Sequence, residues 1–189
     1  MFMGITGSLN LNLDANQITT VASDAFDGIP NINQIYLSDN QLTTLPNGAF
    51  SGLYHLYSLW LNDNQLTSLP NGSFDGLYGL HLINLDNNQF TSVPVLGTLT
   101  GLGEIDISHN QIASIPTDAF AGLPNLNRLY LSYNSLTNLP SNAFAGLSLP
   151  YIGIFLNDNS ISSIASDAFA GLPNLGYLVL DNNQLTSIE

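Results

Sequence analysis

One short figure of apolar and polar positions returns along the whole chain. Two aliphatic residues are separated by a single residue, and asparagine follows three positions after the second. The pairs are Leu11/Leu13, Ile35/Leu37, Leu59/Leu61, Ile83/Leu85, Ile105/Ile107, Leu129/Leu131, Ile154/Leu156 and Leu178/Leu180. The asparagines are Asn16, Asn40, Asn64, Asn88, Asn110, Asn134, Asn159 and Asn183, in steps of 24, 24, 24, 22, 24, 25 and 24 residues. Alternation with a period of two is the signature of a strand with one face buried. Each figure therefore predicts a short strand whose aliphatic pair points inward. No single unit can bury that pair alone, so successive units must stack to close a continuous core. Asparagine suits the bend that follows, because its amide both donates and accepts hydrogen bonds.

A second periodicity runs between the asparagines. Another Leu, Ile or Phe stands two positions after each one, and Phe26, Phe50, Phe74, Phe120, Phe144 and Phe169 each fall ten positions after. These phenylalanines are expected to stack as an aromatic spine on the outer side of the core. The turn after Asn88, "FTSVPVLGTLTGL", is two residues short and lacks the spine phenylalanine, leaving Leu96 as its substitute. The segment "GLSLPYIGI" carries one extra residue before its strand.

The pattern resembles the leucine-rich repeat family in its 24-residue form, LxxLxLxxNxLxxLPxxxFxxLxx, over about residues 8 to 188. The resemblance implies an α/β repeat protein: a right-handed solenoid, or horseshoe, of about eight repeats in one domain spanning 1–189. A parallel β-sheet would line the concave side, and short 3₁₀ or extended segments the convex side. Most members act as protein-recognition scaffolds, so a non-enzymatic recognition or adhesion module is expected. Its expected setting is extracellular or at a cell surface. The first coil has Met1, Phe2, Met3 and Ile5 ahead of it as possible cover, and the chain stops inside a repeat at "QLTSIE". A module of a longer protein is the corresponding expectation, since a solenoid needs a polar unit over its last core layer.

The frame also assigns what faces outward on each strand. The column four positions before the asparagines reads Asn12, Tyr36, Trp60, Asn84, Asp106, Tyr130, Phe155 and Val179. Two aromatic pairs, Tyr36/Trp60 and Tyr130/Phe155, thus flank Asn84 and Asp106. Tyr57 and Tyr133 are expected at strand edges near them, and Asn62 and Asn157 in the adjoining column. These ten residues are the candidate ligand-binding set. Trp and Tyr are common anchors of protein interfaces. Aromatic rings bordered by Asn, Asp and Ser also suit the apolar face and hydroxyl rim of a sugar. A neutral or cationic polysaccharide is therefore the alternative ligand to a protein. Cross-strand packing alone, with no ligand, is the third use of such rings.

Composition narrows the partners. The 189 residues include no lysine, one arginine (Arg128) and 14 acids, a formal charge of −13. That balance argues against nucleic acid, whose phosphates would be repelled. No apolar run reaches the length of a membrane span, so membrane insertion is not expected. "MFMGITG" lacks the basic and apolar regions of a signal peptide. With no cysteine, disulfides, thiolate metal sites and thiol nucleophiles are excluded.

Catalytic and metal chemistry find little support. Glu104 and Asp106 share one face of a strand, an arrangement that suggests the paired carboxylates of a glycosidase. Arg128 occupies the next coil in the column of Glu104, however, and a structural ion pair is the better reading. His55, His81 and His109 have no ligand spacing, and the acids beside the frame asparagines (Asp39, Asp63 and Asp158 among them) read as a solvated rim and not as a calcium loop. Asn71-Gly72-Ser73 is formally a glycosylation sequon. No cofactor is implied.

Overall fold

The computed structural model describes residues 7–70, 72–147, 151–172 and 174–187. The segments Met1 to Ile5, Asn71 of the sequon, and most of the extra-residue loop before Tyr151 lie outside them. Eight strands pair in sequence order into one parallel sheet: β1 (Leu9–Asn12), β2 (Ile32–Tyr36), β3 (Ser58–Trp60), β4 (Leu82–Asn84), β5 (Glu104–Asp106), β6 (Arg128–Tyr130), β8 (Ile152–Phe155) and β10 (Leu175–Val179). Seven turns of the coil connect them. The short strands β7 (Asn138–Leu139) and β9 (Ser163–Ile164) form a parallel ladder on the opposite, convex side. Elsewhere the convex side is made of tight turns closed by bonds three residues apart, such as Asp27 N–H to Asp24 O and Ser51 N–H to Gly48 O. Among the described residues it carries extended segments and turns, and no helix. None of the described residues forms a helix long and apolar enough to cross a membrane.

The aliphatic pairs do what their spacing demands. Leu59, Leu61, Ile83, Leu85, Ile105, Ile107, Leu129 and Leu131 are completely buried. The phenylalanine spine forms as two stacked triplets, Phe26–Phe50–Phe74 and Phe120–Phe144–Phe169, with centroid spacings from 5.5 to 6.0 Å. Between them the short coil fills the gap with Leu96, also buried. The last coil is less protected: Leu178 is partly exposed, and Leu175, Leu180 and Leu185 are only half-buried.

The asparagine ladder explains why that residue never varies in the frame. Asn64 Nδ2 donates to Leu61 O and Asn62 O in its own coil and to Leu37 O in the preceding one, at 2.9 to 3.1 Å. Its Oδ1 accepts the Leu42 N–H at 3.0 Å. Asn40, Asn88, Asn110, Asn134, Asn159 and Asn183 repeat the arrangement. One amide thus ties consecutive coils together and satisfies backbone groups that would otherwise be buried unpaired. The residue before each frame asparagine turns left-handed: Ala15, Asp39, Asp63, Asn87, His109, Tyr133, Asp158 and Asn182 have φ of 46 to 55°. Asp and Asn tolerate that region better than most residues, which accounts for five of the eight.

Candidate functional site

The register of the sheet aligns the outward column without a slip. Tyr36 lies opposite Trp60, Trp60 opposite Asn84, Asn84 opposite Asp106, Asp106 opposite Tyr130, and Tyr130 opposite Phe155. All six are partly exposed on the concave face. Tyr36 and Trp60 stack at 6.0 Å between centroids, 8° from parallel. Tyr130 and Phe155 stack at 4.5 Å and 15°. Neighbouring strands run about 4.8 Å apart, so the two pairs stand roughly 14 Å from each other along the sheet. The rings spend their facing surfaces on one another and turn their edges toward the groove.

Between the pairs the floor is polar. Asn84 Oδ1 accepts the Asp86 N–H and Asp106 Oδ1 the Ser108 N–H, both at 2.9 Å. These bonds end the strands and leave the Asn84 amide nitrogen uncommitted among the described residues, while the Asp106 carboxylate also takes the Ser108 hydroxyl. Burial pushes the Asp106 carboxyl above the usual carboxylate range; the Ser108 amide and hydroxyl oppose this, and the charges of Asp86 and Glu104 add to it. Beside Tyr36, the Trp60 indole nitrogen is buried with no acceptor among the described residues.

Four of the ten candidates serve differently from the row. Asn62 is engaged by its neighbours, accepting from Ser38 Oγ at 2.7 Å and donating to Asp63 at 2.6 Å, with one amide hydrogen to spare. Asn157 repeats this with Ser132 (2.6 Å) and Asp158 (2.7 Å). Tyr57 and Tyr133 sit on opposite rims. Tyr57 stacks on His81 at the rim where the strands begin. Tyr133, left-handed, stacks on His109 at 4.2 Å at the rim where they end. Its hydroxyl bonds to Asp158, which raises the phenol pKa, while Asn157, first of its donors, lowers that of the Asp158 carboxyl. His109 also reaches Asp86 at 2.8 Å. The acidic rim is therefore a chain of side-chain hydrogen bonds, with Asn87 bonded to Asp63 and Asn182 to Asp158.

Glu104 and Arg128 are neighbours as their column predicts, 3.2 Å apart and both partly exposed. They line a hollow of about 600 Å³ between His81 on one side and Tyr151, Phe155 and Tyr177 on the other. Gly153 follows Arg128 in the same column, and the Phe155 ring and Tyr177 close in on the place its side chain would take.

An aligned concave sheet of short parallel strands, tied by an asparagine ladder and backed by a phenylalanine spine, defines a repeat solenoid. The leucine rich repeat family model matches residues 9–65, 54–112, 100–154 and 153–189, and the chain belongs to that family. Members of the family are generally non-enzymatic recognition modules. Among solved structures, that of TLR13 in complex with ssRNA13 superposes with a TM-score of 0.82 at 26% identity, covering 95% of this chain and 26% of that one. The leucine-rich repeat domain of APL1B gives 0.77 at 26% identity, covering 94% and 51%. A leucine-rich repeat protein of Leptospira interrogans gives 0.67 at 29% identity, covering 95% and 50%. The chain thus spans about a quarter to a half of the solved chains it resembles. No curated protein matches it.

Proposed function

We propose that this chain is a non-enzymatic recognition module that holds a protein partner across its concave sheet, outside the cell or at its surface. The observation that carries this reading is the unbroken register from Tyr36 to Phe155, in which two stacked aromatic pairs flank the polar floor of Asn84 and Asp106. Half-buried Trp and Tyr rings are frequent anchors of protein interfaces. Their edges, Asn84 and Asp106 offer apolar contact, donors and an acceptor within one groove. Because strands and ladder hold these groups before a partner arrives, little ordering cost is incurred on binding. A formal charge of −13 favours a partner with a basic surface and speeds its encounter.

RNA is a poor candidate, although the TLR13 neighbour was solved with single-stranded RNA. One arginine and no lysine leave almost nothing to neutralise phosphates. The test is capture of a partner by the immobilised chain, followed by titration of the purified pair. Trp60→Ala and Tyr130→Ala should each weaken it by roughly tenfold or more, a loss of about 1.4 kcal/mol, and single-stranded RNA should not bind. Partners indifferent to both substitutions would end this reading.

A further inference from the structure

The hollow beside Glu104 and Arg128 differs in kind from the aromatic row. On the row, each ring of a pair covers its neighbour; Phe155 is closed in by Tyr130 on one side and by a tilted Tyr177 at 5.7 Å on the other. Tyr151 is built otherwise. Its ring lies flat against the backbone of Gly176, where any side chain would collide with it, and 63% of the residue is exposed. Tyr177 is 58% exposed in the same hollow. The open ring surface of the concave side is therefore concentrated here.

The charges of the hollow select against ions of either sign. A cation entering it meets the Arg128 guanidinium, and an anion meets Glu104 and the field of a chain carrying −13. Together the pair is neutral, yet far from inert. A guanidinium has five N–H donors and a carboxylate two acceptor oxygens, of which one contact, Nη1 to Oε2, is spent internally. The Asn127 amide lines the hollow too, with no side-chain partner among the described residues. Its volume of about 600 Å³ lies within the roughly 300–1,000 Å³ of small-ligand clefts.

We infer that this hollow is a binding site for a neutral saccharide, whose C–H face lies on Tyr151 and Tyr177 and whose hydroxyls bond to Glu104, Arg128 and Asn127. A ligand with an apolar face, many hydroxyls and no charge satisfies every group present. A neutral peptide side chain such as Gln could use the donors and acceptors but would leave the rings uncovered. The site shares the Phe155 ring with the row proposed for a protein partner but not Trp60, so either proposal can fail without the other.

The experiment is calorimetric titration of the full chain with cellotetraose, mannotetraose, xylotetraose, laminaritetraose and N-acetylchitotetraose, each to about 20 mM, a range that reaches weak single-site binding. At least one should bind with an affinity unchanged between low and high salt, since no charge is neutralised. Tyr151→Ala and Gly153→Leu should each weaken that binding by roughly tenfold or more. A Cβ at Gly153 would come within 3.2 Å of the Phe155 ring, which must give by a few tenths of an ångström; unchanged melting curves check both variants. Trp60→Ala should leave saccharide affinity unchanged. Silence from all five sugars, binding that survives both substitutions, or binding lost in Trp60→Ala alone would each overturn the assignment, as would a tri-glutamine peptide binding as tightly as the best sugar.

Discussion

Tyr36 and Trp60 lie ring upon ring on adjacent strands, 8° from parallel, although both point away from the hydrophobic core. The only tryptophan of the chain is half-buried, and its indole N–H is buried without an acceptor among the described residues. A buried donor left unpaired costs about 1–3 kcal/mol. Trp60→Phe removes that donor while keeping a ring against Tyr36. Its unfolding free energy should fall by less than about 1 kcal/mol, or rise. Trp60→Ala forfeits the stack and should cost about 1–2 kcal/mol. Equal losses in urea melts of the two variants would show that the N–H is paired after all.

The frame asparagines should be far more sensitive than anything on the concave face. Asn64→Ala strips partners from Leu37 O and the Leu42 N–H, both in buried surroundings. The expected destabilisation is about 2–4 kcal/mol. Asn64→Asp keeps the acceptor but loses the three Nδ2 contacts, and should be destabilising as well. A loss below about 1 kcal/mol for Asn64→Ala, measured by denaturant unfolding, would contradict the ladder's role.

Asp106 gives a pH signature of definite sign. Burial raises its carboxyl pKa from 3.8 in the folded chain, so the folded state holds that proton more tightly than the unfolded state does. Stability contributed by the group therefore declines as pH rises from about 3.8 through the higher folded value. Asp106→Asn should remove this component and be more stable than the parent at neutral pH, with the difference shrinking in acid. Thermal melts between acid and neutral pH would detect it; a variant less stable at neutral pH and equal in acid would reverse the sign.

The Glu104–Arg128 pair should matter little to stability. Both groups are partly in water, where such pairs are worth about 0.2–1 kcal/mol. A double-mutant cycle with Glu104→Gln and Arg128→Gln should return a coupling in that range that shrinks in high salt. A coupling above about 2 kcal/mol would mean that the hollow is far drier than its exposure implies.

How much of this was legible in the sequence follows from what a period can encode. Alternation about each asparagine locates the core pairs, the spine, the outward column and the Glu104–Arg128 pairing, because each depends only on phase. Which polar groups are already spent does not follow from phase. The bonds that Asn62 and Asn157 accept from Ser38 and Ser132 join residues 24 and 25 positions apart, which no local pattern displays. The frame predicts Tyr57 and Tyr133 at strand edges, where they stand, but the left-handed turn that sends Tyr133 to the far rim is a conformation a bulky aromatic seldom adopts. The hollow does not follow from phase, because it depends on how the side chains of Tyr151, Phe155 and Tyr177 lean around a glycine. Its signal was nonetheless present: Gly153 is the one glycine in the column of Asn10, Gln34, Ser58, Leu82, Glu104, Arg128 and Tyr177.

The solitary tryptophan supplies the most direct test of the concave-face account. Acrylamide quenching of Trp60 emission should be measured with and without a saturating, purified protein partner. A partner seated across Tyr36 to Phe155 covers the exposed part of the indole, so quenching should fall by about half or more, with the emission shifted to the blue. Quenching and emission that stay the same at saturation would put the partner elsewhere on the solenoid and contradict the central claim.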